Sequence, residues 1–147
     1  MKPKRWIPEP LYSQVKALVP IPTVDALIVN DDRLLLMLRN NRPAKGEWFT
    51  PGGRILLGEK IEDAVRRVTR AETGLNPTSI EIKGVMSHIW PSMQTVTVFC
   101  RVDVENDQVK MDDQHSAYKW ITEATEDLHP YLKEMIKRSE IFKKEMI

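Results

Sequence analysis

The chain has 147 residues, 41% hydrophobic and 29% charged, with 22 lysines and arginines against 21 aspartates and glutamates. That length accommodates one domain around one core, and a formal charge of +1 excludes a bulk basic surface of the kind that holds nucleic acid. The single cysteine, Cys100, excludes an internal disulfide framework and fits a reducing compartment. No stretch is long and apolar enough to span a membrane, and the basic Met1–Arg5 is not followed by the apolar run of a signal peptide, so a cytoplasmic protein is expected, with no nucleic-acid or membrane partner.

In chain order, Leu11, Val15, Leu18 and Val19 recur at helical spacing and predict a short helix that Pro20 and Pro22 end. Thr23–Val29 is apolar and β-branched and reads as a strand. Asn30-Asp31-Asp32 reads as a hairpin turn. The leucine-rich Leu34–Leu38 reads as a second strand, central in a sheet. Arg39–Gly46 is a polar loop, and Glu47–Thr50 is short and extended. Pro51-Gly52-Gly53 is expected to break the chain where glycine permits backbone geometry closed to other residues, with a loop at Arg54–Glu59. Ile61–Thr73 predicts a helix with Gly74 as its C-terminal cap. Ile80–Trp90 and Gln94–Val104 form a strand pair around Pro91-Ser92, Tyr118–Ile121 is a last strand, and Pro130–Met146 a last helix. Residues 1–147 then make a single α/β domain, an α/β/α sandwich around a mixed β-sheet.

The chemistry concentrates in Gly53-x5-Glu59-x7-Arg67-Val68-Thr69-x-Ala71-Glu72-x-Gly74-Leu75. Positions 68, 71 and 72 share one helix face because they are three and four apart. Three carboxylates there would hold more than one divalent cation; this chain has only Glu72. A single glutamate needs help, which a bare carbonyl at Gly52 or Gly53 can give, and Mg²⁺ accepts oxygen ligands with water or phosphate in its shell. The competing reading is an ordinary apolar stripe of Ile61, Ala64, Val65, Val68 and Ala71, with Glu72 at its edge. Glu59 and Arg67 read as a structural pair tying loop to helix.

This spacing resembles the box of the Nudix hydrolases, with glutamates of that box replaced by Val68 and Ala71. The segment Arg39–Arg54, including Lys45-Gly46-Glu47-Trp48-Phe49-Thr50-Pro51-Gly52-Gly53, is similar to the one before the box in GDP-mannose mannosyl hydrolases. The segment Met111–Ile121, with Gln114 and His115, resembles the one that carries that family's catalytic histidine. The likeness covers roughly Leu18 to Ile121.

The resemblance implies a Nudix fold, a homodimer, and Mg²⁺ (or Mn²⁺) held by the Gly52 carbonyl, Glu72 and Gln114. It implies Arg39 and Arg54 on the phosphates, His88 in the substrate site, and His115 as the base for a water that attacks the sugar's anomeric carbon with inversion, nucleoside diphosphate leaving. Cleavage at carbon passes through an oxocarbenium-like state and delivers negative charge to the diphosphate, so one cation and two arginines suffice to stabilise it. The substrate would be a nucleotide sugar of the GDP-mannose or GDP-glucose type. Two alternatives stand beside this: phosphoanhydride cleavage at phosphorus, with Glu59 or Asp112 and Asp113 replacing the lost carboxylates, and a Nudix-fold module that binds a nucleotide without turnover. The chain departs from the family in a shorter connection at Pro91-Ser92, which puts Thr95 near the family's aromatic hydroxyl, and in the residues before Leu18.

Overall fold

A computed structural model describes residues 6–40, 45–113 and 115–142; Gln114 lies outside the described residues. Ten elements follow one another. They are α1 (Leu11–Leu18), β1 (Ile21–Asn30), β2 (Arg33–Arg39), β3 (Trp48–Phe49), β4 (Gly52–Arg54), α2 (Ile61–Thr73), β5 (Pro77–Ile89), β6 (Gln94–Val104), β7 (His115–Ile121) and α3 (Pro130–Ser139). The sheet runs β3-β2-β1-β6-β5, with β4 also on β1 and β7 also on β2. β1 and β6 are parallel and the other pairs antiparallel, so the sheet is mixed.

Alternation along β1 and β2 divides the core. Val24, Ala26, Ile28, Leu35 and Met37 face α2, packing on Ala64, Val65 and Val68. Leu27, Val29, Leu34 and Leu36 face α3, packing on Leu132, Met135 and Ile136. A side chain such as Val65 contributes roughly 1.5–3 kcal/mol by leaving water, and two such layers make the α/β/α sandwich. Asp31 and Asp32, both with positive φ (50° and 60°), form the two-residue hairpin between β1 and β2, the turn whose twist matches paired strands.

The structure departs from the sequence expectations in four places. Gly52-Gly53 is not a break but part of β4, paired with Val24 and Asp25 of β1. β7 starts at His115, because its ladder with β2 continues past a bulge to pair Arg39 with His115. α3 ends at Ser139, where Glu140 takes a left-handed conformation (φ 52°) that stops the helix; residues 143–146 of the expected helix lie outside the described residues. In α2, Val68 is core but Ala71 is exposed, while Glu72 is buried.

Candidate functional site

The loop between β4 and α2 is fixed by one ion pair. Arg67 donates from Nε to Glu59 Oε2 at 2.7 Å and from Nη2 to Glu59 Oε1 at 3.0 Å and to the Arg54 carbonyl at 2.9 Å. Glu59 Oε1 also accepts the Leu56 backbone N–H at 2.8 Å. The fork-to-fork geometry holds the carbonyl of Arg54, and so β4, against the helix that carries Glu72.

Gly52 is required by proximity, not by dihedral freedom. A Cβ there would stand 2.1 Å from Asp25 Oδ1 and 2.8 Å from the Val24 carbonyl. Asp25 was not among the residues singled out from the sequence, although an acid inside the apolar run Ile21–Val29 is a signal that could have found it. It retains some exposure, through the cavity it lines. Packed protein around the carboxyl nevertheless pushes its pKa up to about 8, against the pull of the Arg39 charge.

Glu72 meets two partners from the far end of the sheet. His115 Nδ1 lies 2.7 Å from Asp112 Oδ1, and His115 Nε2 lies 3.5 Å from Glu72 Oε1. In the neutral ring with its proton on Nδ1, that N–H donates to Asp112 and the Nε2 lone pair faces Glu72. Glu72 Oε1 and His115 Nε2 are buried, and among the described residues neither has a hydrogen-bond partner. One ligating atom from each of Glu72, Asp112 and His115 lies within 4.8 Å of the others. A buried carboxylate oxygen and a buried imidazole lone pair left open toward each other suit a divalent cation or a water between them. Burial first, and then the Asp112 charge, raise the Glu72 pKa to about 8, while Arg39 and a backbone hydrogen bond from Gly52 lower it. His115 therefore opens a strand in the interior, where the sequence alone suggests a polar loop.

A cavity of ≈ 230 Å³ is lined from β1, β3, β4 and the end of β2, and none of Glu72, Asp112 and His115 is in its lining. Its polar half carries Asp25, Arg39, Gly52 and Arg54. Its other half is aromatic, with Phe49, Trp90 and Tyr131. A second cavity shares Gly52, Gly53 and Arg54 with the first and reaches Glu72 and Arg67. Thr95, in the first cavity, accepts from Trp90 Nε1 at 3.1 Å. His88 does not line either cavity; its ring packs 4.2 Å from Trp90, 5.0 Å from Tyr131 and 5.7 Å from His129. Burial and His129 hold its pKa below the usual value. The aromatic half escaped the sequence reading because Phe49, Trp90 and Tyr131 come from β3, the end of β5 and α3, and meet only in the fold. Among the described residues no helix is long and apolar enough to cross a membrane.

Three comparisons bear on this arrangement. The NUDIX domain family matches residues 19–140. The low-salt glycan biosynthesis protein Agl8 of Haloferax volcanii is 34% identical over 140 residues, 89% of each chain. An ADP-ribose pyrophosphatase of Methanocaldococcus jannaschii is 36% identical over 96 residues, 64% of this chain and 57% of that one. Among solved structures, a MutT protein from Methanosarcina mazei superimposes with a TM-score of 0.76 at 27% identity, covering 87% of this chain and 99% of the other.

Proposed function

Because the chain belongs to the Nudix hydrolase family, we propose that it hydrolyses a nucleotide sugar at the anomeric carbon, releasing a nucleoside diphosphate and the free sugar with inversion. The observation that carries this reading is the array Asp112–His115–Glu72. Asp112 holds His115 Nδ1 at 2.7 Å, and among the described residues Nε2 has no hydrogen-bond partner beside Glu72, the one carboxylate left at positions 68, 71 and 72. A carboxylate-oriented imidazole supports the reading of His115 as a general base.

In the proposed reaction, water attacks the anomeric carbon as the bond to the phosphate oxygen breaks. The bonding electron pair leaves on the diphosphate, and the water's proton passes to His115 Nε2. Arg39 and Arg54, both in the first cavity, neutralise the departing charge. Asp112 holds the imidazole and stabilises its charge once protonated. A divalent cation, Mg²⁺ or Mn²⁺, would be held by Glu72 with the Gly52 carbonyl and Gln114, and would supply further electrostatic stabilisation of the leaving group. The aromatic half of the cavity suits the organic part of the substrate. Agl8, a relative by sequence, bears a name from glycan biosynthesis, which agrees with a nucleotide-sugar substrate.

A second reading has its own observation. Asp112 restores a second carboxylate near Glu72, as attack at phosphorus would require, and a relative is an ADP-ribose pyrophosphatase. Incubation with GDP-mannose and Mg²⁺ in ¹⁸O-labelled water separates the two. Labelled mannose and GDP support cleavage at carbon. GMP and mannose 1-phosphate, with label on phosphorus, sink it, and retained binding without turnover leaves a binding module. The homodimer is part of the same proposal: β5 is an edge strand exposing Ile82, Val85 and Ile89, a face that a second copy would cover. Sedimentation as a monomer at micromolar concentration would remove it.

A further inference from the structure

Helix α1 is an anomaly in the fold. It has no buried residue, and leaves Leu11 and Leu18 exposed, so it adds no buried side chain to either core layer. An amphipathic helix that served packing would bury a stripe. Yet Tyr12 and Lys16, four residues apart and so on one face, both line the cavity that holds Arg39 and Arg54. Tyr12 also lines the second cavity, beside Arg54 and Glu72, and so stands between the two.

The Tyr12 ring is bracketed by cations. Lys16 Nζ lies 5.0 Å from its centroid and the Arg54 guanidinium carbon 5.7 Å. The negative face of the ring attracts both, and keeps two positive groups together at the cavity. Lys16, Arg39 and Arg54 thus line one cavity, together with the acid Asp25. A lysine beside two arginines suits an anion that carries more than one charge.

We propose that α1 is a substrate-binding element, in which Lys16 contacts a phosphate oxygen of the diphosphate and Tyr12 positions Lys16 and Arg54 for it. This deepens the reading above and rests on it for the diphosphate. Lys16 adds a point charge where the arginines supply planar forks, so it suits the outer oxygens of the anion.

Titration calorimetry with GDP, ADP and inorganic pyrophosphate, in Mg²⁺, tests the assignment on the full chain. Lys16→Met should weaken all three by about tenfold, the usual loss of one charge-assisted contact. Tyr12→Ala should weaken them several-fold, and Tyr12→Phe should restore wild-type affinity, because the ring and not the hydroxyl does the holding. Melting temperatures should stay unchanged in Lys16→Met and Tyr12→Phe, since no residue of α1 is fully buried. A Lys16→Met protein that binds within twofold of wild type overturns the proposal, as does a wild type that binds none of the three anions. A Tyr12→Phe protein as weak as Tyr12→Ala overturns the positioning role of the ring. These affinities are independent of which bond breaks, so failure here leaves the labelled-water result standing, and the reverse also holds.

Discussion

Asp25 on β1 and Gly52 on β4 are strand partners in contact so close that a Cβ on Gly52 would stand 2.1 Å from Asp25 Oδ1. That contact joins the half-buried acid of the cavity to the strand that leads into the Nudix box. Gly52→Ala must therefore displace the Asp25 carboxyl or the Val24 backbone. It should cost about 1–3 kcal/mol in urea unfolding, the usual range for overpacking, and lower turnover. Gly53→Ala is the control: its nearest neighbour would be Val68 Cγ2 at 3.5 Å, an ordinary contact. Equal stability of the two variants would contradict this account.

The Glu59–Arg67 pair allows a second test. The Glu59 side chain is 3% exposed, so Arg67→Ala leaves a buried charge without its partner, at a cost of roughly 3–5 kcal/mol. The double variant Glu59→Gln/Arg67→Met should recover much of that loss, because no charge is stranded. Denaturant midpoints of the three proteins decide the matter; a double variant no better than Arg67→Ala would show that the loss comes from elsewhere.

Glu72 and Asp25 predict how stability depends on pH. Their carboxyls have pKa values of about 8 in the fold, against ordinary values of 4.5 for Glu72 and 3.8 for Asp25. Between those limits the unfolded chain has released both protons and the folded chain keeps them. Folding then binds protons, and the stability contributed is full below the lower values and lost as pH rises toward about 8. A cation on ionised Glu72 acts in the opposite direction. In chelator the protein should melt higher at about pH 5 than at about pH 8, and added Mg²⁺ should raise the melting temperature more at the higher pH. Calorimetry should also detect proton release on Mg²⁺ binding near neutral pH. A cation effect independent of pH would detach Glu72 from the metal.

The proposed base is tested by His115→Gln, which should slow turnover by about 10²–10⁴-fold, the range of general-base catalysis. Mg²⁺ affinity should be nearly unchanged. Asp112→Asn keeps the shape but replaces an acceptor that fixes the tautomer, so it should lower kcat by a smaller factor and alter the pH–rate profile. A normal rate in His115→Gln removes His115 from the chemistry.

Much of this protein was legible in the sequence because the signals are local. The α2 boundaries, with Gly74 in a left-handed cap (φ 72°), follow from periodicity and one glycine. The hairpin at Asp31-Asp32 follows from turn chemistry. The two-sided core follows from apolar runs in β1 and β2, and the family from residue spacing in the box. Other features depend on contacts between distant segments. Gly52-Gly53 lies in a strand because β1 offers it a partner, and its glycine is needed because Asp25 is there. His115 is interior because the β2–β7 ladder continues past a bulge to Arg39. The burial that raises the Glu72 and Asp25 pKa values, and the cavity that joins Tyr12 and Lys16 to Arg39, Trp90 and Tyr131, likewise bring together residues from many elements. The sequence by itself determined most of the helices and long strands, the family and the loss of two box carboxylates. Only the tertiary structure decided which buried atoms are left open toward one another, because desolvation and strand register are properties of packing and not of local sequence.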